Sequence, residues 1–453
     1  MKLTVFGMGK LGSPLAALFA SVGHDVFCVD NNEQVLDMIR EGKPPVNEPG
    51  LRDLFAIFKH RLIPVSMKDA EHAVANSDFV FIIVPTPSQP DGSFSNAAIL
   101  DALVPIASAI SRGAHPAVVV TATTSPGACH SQIIPALETL SGKGCGVDFG
   151  FCYNPEFIAL GSVLHDMRHP DYILIGETTK NYGDALQAFY EELHHELGHA
   201  CPPIARMNIV NAEIAKLATN CFATMKISYA NSLADICEAY PNADARVVCD
   251  AIGLDSRIGS KYLRPATAYG GPCFPRDGRA MLHTAQSQHV PVPLIQATDA
   301  TNQRQLDKLL DIISARKCRR LAILGLSYKP ATHVTEESIA VRLLNALNIF
   351  EFEWIRVHDP QATLDMPGVL MCYKPDTAIR NADLVIIATA WPQFAELSPD
   401  DFLYGTVIVD CWDMLGPDFH ARTIIKPGKG RFCHPYWTNS NADELGNGNE
   451  PRP

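Results

Sequence analysis

A chain of 453 residues is too long for one compact core, so two or three domains are expected. Apolar residues make up 47% and charged residues 19%, as in ordinary globular proteins. A formal net charge of −12 argues against a sequence-independent nucleic-acid binder, which needs clustered Lys and Arg. No apolar run approaches the length of a membrane-spanning helix, and Met1-Lys2 leads at once into a strand-like run rather than a leader. Thirteen scattered cysteines suit free thiols in a reducing cytoplasm better than a disulfide framework.

Short apolar runs at Leu3–Phe6, Asp25–Val29, Phe79–Val84 and Ala117–Thr121 alternate with helical patterns, which predicts a parallel, doubly wound sheet. Between the first run and its helix lies Gly7-Met8-Gly9-Lys10-Leu11-Gly12, the pattern G-x-G-x-x-G. Gly7 permits a tight turn, Gly9 lets the backbone approach a pyrophosphate, and Gly12 packs helix on strand. Asp30 closes the second run, where a carboxylate accepts from ribose hydroxyls and repels a 2′-phosphate, so NAD is expected over NADP.

His195-Glu196-Leu197-Gly198-His199 matches the zinc-protease pattern, but Gly198 and then Pro202-Pro203 break the helix that such a site needs; no metal is expected. From Ile204 to Tyr240 the chain reads as one long helix, closed by Pro241-Asn242. On it Glu213, Lys216 and Asn220 form a polar stripe, either a solvated face or, on a helix joining two domains, one that meets a ligand. Helical pattern continues to about Ala315.

Within that stretch lies Tyr269-Gly270-Gly271-Pro272-Cys273-Phe274-Pro275-Arg276-Asp277. A helix starting near Pro272 puts Cys273 where the helix dipole favours a thiolate, with Asp277 one turn on. A buried, inert thiol is the competing reading. At Arg320 the strand grammar restarts: Leu321–Gly325 echoes Leu3–Gly7, Val357–Asp359 echoes Cys28–Asp30, and Ala382–Ile387 echoes Ser77–Ile82. The turn Gly325-Leu326-Ser327-Tyr328-Lys329 lacks the full glycine pattern and could hold another nucleotide or simply cap a strand. The fold class is therefore α/β, with two Rossmann-like doubly wound domains joined by a long central helix and helical connector. The domains are expected at 1–203, 204–315 and 316–437, with a disordered, Asn/Gly/Pro-rich tail at 438–453.

These motifs, with Gly42–Leu51, Val84-Pro85-Thr86-Pro87, Asn154-Pro155-Glu156-Phe157, Lys216–Asn220, Ile252–Gly259 and Gly325–Pro330 in one order, resemble the UDP-glucose/GDP-mannose 6-dehydrogenase family over about residues 1–425. The likeness is strongest to its UDP-glucose branch. It implies a four-electron oxidation of a sugar C6 alcohol with two NAD used in sequence. Lys216, Asn220 and Asp277 would hold the alcohol and a water, and Cys273 would trap the aldehyde and carry a thioester. Glu156 would act as acid/base in its hydrolysis, with Thr123 nearby. The resemblance further implies NAD contacts at Gly7, Gly9, Lys10, Leu11, Gly12, Asp30, Thr86, Thr123 and Arg276. It implies substrate contacts at Glu156, Phe157, Lys216, Asn220, Arg257, Tyr262, Tyr269, Gly270, Gly271, Cys273 and Lys329. Arg257 would reach the substrate of a neighbouring subunit, which implies a homodimer or higher homo-oligomer built on the long helix.

Anchoring on Gly127 aligns the family threonine with Thr123, with Thr124 as the alternative. The chain departs from the family at Val35, Leu160, Glu336 and Trp412, where basic or acidic residues are usual. Those departures bear on cofactor affinity and on which nucleotide sugar is taken. A related nucleotide sugar, or a non-catalytic NAD-binding role, are the competing functional readings.

Overall fold

The structure, a computed structural model, describes residues 1–421 and 423–430; the tail expected at 438–453 lies outside the described residues. The chain divides into two compact units, Met1–Thr219 with Arg279–Val290, and Asn220–Gly278 with the chain from Pro291 onward.

The first unit is built on eight strands: β1 (Lys2–Phe6), β2 (Asp25–Asp30), β3 (Leu62–Ser66), β4 (Phe79–Ile82), β5 (Ala117–Val120), β6 (Gly150–Tyr153), β7 (Ile173–Glu177) and β8 (Ile204–Asn208). Their order is β3-β2-β1-β4-β5-β6-β7-β8, parallel except where β7 meets β6. Alternation along β1 sends Leu3 and Val5 into one apolar cluster, with Phe19 and Phe189, and Phe6 into another, with Ile106 and Phe151. Both faces are thus covered by helices, as a buried parallel sheet requires. Strand order reverses between β1 and β4, which opens a crevice at the carboxyl ends of those two strands.

In the second unit β9 (Arg320–Leu324), β10 (Trp354–His358), β11 (Val369–Met371), β12 (Leu384–Ile387), β13 (Val407–Asp410) and β14 (Thr423–Ile425) form a wholly parallel sheet ordered β11-β10-β9-β12-β13-β14. Leu321 and Ile323 enter one cluster and Ala322 and Leu324 the other, repeating the two-faced pattern of β1. Both doubly wound sheets expected from the strand grammar are present.

The long helix needs a correction. Ile204–Asn208, read from the sequence as its first turns, is strand β8, paired in parallel with β7. Pairing overrides the local pattern here, reinforced by Arg206, whose guanidinium meets Glu177 of β7 at 2.6 Å. Asn208 then accepts the N–H of Asn211 at 3.0 Å, and the helix runs Ile209–Glu238. Its first part belongs to the first unit and the rest, from Asn220, to the second. Among the described residues no helix is long and apolar enough to cross a membrane.

Candidate active site

The glycine turn is shaped by its own packing. Gly7 has φ +92, and a Cβ there would lie 2.7 Å from the carbonyl oxygen of Ile83 at the end of β4. A Cβ on Gly12 would collide with the carbonyl of Gly7, so Gly12 lets the helix Gly12–Ser21 start directly against the turn. Gly9 differs: a Cβ there would meet nothing within 4 Å. Internal packing therefore does not demand Gly9, and the space beside it is open to the close approach of a pyrophosphate. Lys10 is exposed, and Leu11 is the N-cap of a helix whose first turn has no side-chain cap, leaving it open to an anion. Asp30 accepts from the N–H of Met8 and of Asn32, both at 2.8 Å, so one half-exposed carboxylate ties the turn to the end of β2. These residues fit NAD.

Thr86 and Thr123 follow the neighbouring strands β4 and β5. The Thr86 hydroxyl donates to the Thr123 carbonyl at 2.8 Å. Thr124 is fully buried, its hydroxyl donating to Glu213 at 3.0 Å, whereas Thr123 is half-buried. Of the two threonines the sequence left open, Thr123 is the one not committed to the interior. Glu213 is therefore no part of a solvated stripe, for it is wholly buried.

One turn further along the same helix, Lys216 donates to the backbone carbonyl of Glu156 at 2.6 Å, and its ammonium stands 4.6 Å from the centre of the Phe157 ring. Phe157 in turn packs on Tyr172, ring centres 4.8 Å apart. Glu156 is half-buried, and loss of solvation pushes its carboxyl up to about 7 against the pull of Lys216. A carboxyl titrating near neutrality suits proton transfer in either direction.

The helix Phe274–Ser287, whose first turn lies in the second unit and whose continuation from Arg279 lies in the first, begins one residue after Cys273, whose carbonyl accepts the N–H of Asp277 at 2.8 Å. Among the twelve described cysteines Cys273 alone is exposed. Burial pushes Cys221 up to about 12, by contrast, as befits an inert thiol. Asp277 has no exposure; Asn220 donates to it at 2.6 Å and Arg276 at 3.2 Å. Gly271 has φ +86, and a Cβ there would stand 2.7 Å from the ring of Tyr328; its N–H donates to the carbonyl of Glu336 at 2.9 Å. Asn302 brackets Tyr269, accepting its N–H at 2.8 Å and donating to its carbonyl at 3.1 Å. Tyr262, at φ +64, sets its ring edge-on to Phe274, centres 5.8 Å apart.

The residues named from the sequence therefore fall into two groups. Gly7, Gly9, Lys10, Leu11, Gly12, Asp30, Thr86, Thr123, Glu156, Phe157 and Lys216 belong to the first unit. Asn220, Arg257, Tyr262, Tyr269, Gly270, Gly271, Cys273, Arg276, Asp277 and Lys329 belong to the second. Lys216 and Asn220 lie one turn apart on the helix that runs through both. Arg257 is exposed and turned onto Asp255 of its own loop at 2.5 Å. Lys329 lies 5.9 Å from the ring centre of Tyr328. Asn302 was missed outright; Glu213 and Tyr328 left a signal only as members of the polar stripe and of the second glycine-marked turn.

Among the departures, Val35 and Leu160 pack on the first apolar core, and the indole N–H of Trp412 donates to the Ala388 carbonyl at 2.8 Å. The zinc-like pattern is split, because its helix ends at Glu196 and Gly198 turns to φ +75. Among the described residues no group of three His, Cys, Asp or Glu is placed to hold a metal.

A glycine-rich strand–helix turn bonded to Asp30, and an exposed thiol one turn before a buried carboxylate, are the features of an NAD-dependent oxidoreductase. Comparison with known proteins agrees. The NAD binding domain of the UDP-glucose/GDP-mannose dehydrogenase family matches residues 1–194, its central domain 210–304 and its UDP binding domain 322–417. The chain belongs to this family, and is an NAD-dependent nucleotide-sugar dehydrogenase. It is similar to UDP-glucose 6-dehydrogenase AglM of Haloferax volcanii, 33% identical over 90% of this chain and 96% of the relative. GDP-mannose 6-dehydrogenase of Pseudomonas aeruginosa is 31% identical over 88% and 93%. A solved UDP-glucose dehydrogenase from Pyrobaculum islandicum superposes with TM-score 0.81 at 31% identity, covering 90% of this chain and 93% of that one.

Proposed function

We propose that the protein oxidises the C6 alcohol of UDP-glucose to the carboxylate of UDP-glucuronate through a thioester on Cys273. The observation that carries this reading is the exposed Cys273 thiol at the start of a helix whose first turn holds the buried, Asn220-bonded Asp277. NAD, when bound, supplies the hydride acceptor for each of the two oxidations. Asn220 and Asp277 orient the sugar hydroxyl, and Asp277 takes its proton as the aldehyde forms. Lys216, one turn earlier, offers positive charge to the developing alkoxide. The Cys273 thiolate adds to the aldehyde carbon, and loss of the second hydride leaves the thioester. Water, deprotonated by Glu156, then displaces the thiol, giving carboxylate and free Cys273.

The likeness to AglM and to the Pyrobaculum enzyme favours UDP-glucose, whereas the nearly equal identity to GDP-mannose 6-dehydrogenase favours a second reading with that sugar. NADH formation across a panel of nucleotide sugars separates them. UDP-glucose with the highest kcat/KM and two NADH per sugar supports the first reading; preference for GDP-mannose or an N-acetylated UDP-hexosamine refutes it.

The same proposal includes a homodimer. Phe222, Tyr229 and Ile236 repeat every seven residues on the long helix and are 60%, 54% and 56% exposed, an apolar stripe suited to a second copy of that helix. The free thiols favour a reducing, cytoplasmic setting.

A further inference from the structure

Glu213 is a carboxylate with no solvent exposure on the first turns of the long helix, and the reaction described above does not use it. Its two oxygens accept from three groups of one short segment: the Thr124 hydroxyl at 3.0 Å, the Gly127 N–H at 2.6 Å and the Cys129 N–H at 2.9 Å. That segment is already a turn in its own right, with Gly127 at φ +86 and Ala128 donating to Ser125 at 3.0 Å. An apolar residue would fill the space at lower desolvation cost, so a buried acceptor here serves to hold the segment in one place.

What it holds is the cofactor edge of the sheet. At the other end of the segment, Thr121 and Ala122 donate to the Ile82 carbonyl at 2.9 and 3.1 Å, just before the residue against which the Gly7 turn closes. Between these two anchors lies Thr123, whose carbonyl takes the Thr86 hydroxyl. We propose that Glu213 is a positioning residue for the dinucleotide: it clamps the Thr124–Cys129 turn, and thereby sets Thr123 and Thr86 against NAD at the carboxyl ends of β4 and β5. Because Lys216 is three residues on, the same clamp sets the rotation of the long helix against the sheet. The inference rests on dinucleotide binding by this sheet and is independent of which sugar is oxidised.

The test is an NADH fluorescence titration of Glu213→Gln and of Leu193→Val, a control in the core of the same unit that touches neither the turn nor the long helix's start. Glutamine keeps the shape but turns an amide donor toward N–H donors. It should weaken NADH binding by about tenfold, the scale of one lost charge-assisted hydrogen bond. Leu193→Val should lower Tm and leave NADH affinity within twofold. Equal weakening in both variants, or lowered Tm with unchanged affinity in Glu213→Gln, overturns the proposal and leaves Glu213 a fold stabiliser only. If Glu213→Gln does not fold, Thr124→Val removes a single donor and carries the test: a rise of about threefold supports the clamp, unchanged affinity overturns it. Wild-type protein that binds NADH but oxidises no UDP-glucose would refute the substrate assignment and leave this result intact.

Discussion

The amide nitrogen of Asn220 and a carboxylate oxygen of Asp277 meet at 2.6 Å, with Asp277 sealed from solvent. One oxygen is thereby fixed by the long helix and the other by Arg276. Replacing Asp277 by Asn keeps the shape and removes the base, and kcat should fall by about 10²–10⁴ with KM nearly unchanged. A raised KM at wild-type kcat would make Asp277 a binding group instead. Asn220→Asp sets two carboxylates in contact, so one must hold a proton, and the pH optimum should move upward.

Removal of the Cys273 thiol should separate the two oxidations. Cys273→Ala cannot form an ester, so single-turnover experiments should yield at most one NADH per sugar. Cys273→Ser should leave a slowly resolved adduct on the protein, visible by intact mass. Two NADH per sugar at the wild-type rate in Cys273→Ala would exclude the thioester.

Glu156, lifted to about 7 by desolvation, sets a pH signature. A base works when ionised, so thioester hydrolysis should rise with pH through about 7 and level off above it. Glu156→Gln should be slower and flat across that range. Stability runs the opposite way: a folded-state pKa raised above the ordinary 4.5 gives a contribution to stability that is full below about 4.5 and is lost as pH rises through about 7. Tm measured from pH 4.5 to 8 should therefore fall less in Glu156→Gln than in wild type.

Asp30 should govern cofactor choice. Wild type is expected to prefer NAD strongly over NADP, because a carboxylate at the end of β2, bonded to the glycine turn, repels an added 2′-phosphate. Asp30→Ala should narrow the kcat/KM ratio between the two by tenfold or more, roughly the value of one charged contact. Comparable efficiency with both cofactors in wild type would remove Asp30 from this role.

Association is testable on the exposed stripe. Tyr229→Glu places a charge in the middle of the row Phe222, Tyr229, Ile236 and should convert a dimer to monomer in sedimentation experiments. Arg257→Ala should raise KM for the sugar nucleotide and leave NADH binding unchanged. A fully active monomer at assay dilution would rule out a shared site.

Legibility of the sequence tracked how local the cause was. The glycine turn, Asp30 and the helix start at Cys273 depend on residues within a few positions, and each stood out from spacing. Strand β8 did not, because Ile204–Asn208 is extended only by virtue of its pairing with β7. Glu213 was visible as a polar residue at helical spacing, but its partners lie more than 80 residues away in sequence, so nothing local distinguished a solvated side chain from a clamp. Asn302 acts on Tyr269 from 33 residues away and carries no motif, whereas Tyr328 stood in view within the Gly325–Pro330 turn and only its contact with Gly271 was hidden.

Asp359 stands at the end of β10 as Asp30 stands at the end of β2, yet it is saturated. It accepts from the N–H groups of Leu326, Ser327, Gln361 and Ala362, from the Ser327 hydroxyl and from the Trp391 indole. Those donors hold its carboxyl below the usual range despite burial. The acid that ends the second strand is half-exposed in one half of the chain and a buried keystone in the other. Engineering a change of nucleotide in the C-terminal half by altering Asp359, as one would retune a dinucleotide fold, should collapse that end of the sheet rather than redirect its preference. Selectivity there must be sought in side chains that lean outward from the strand ends.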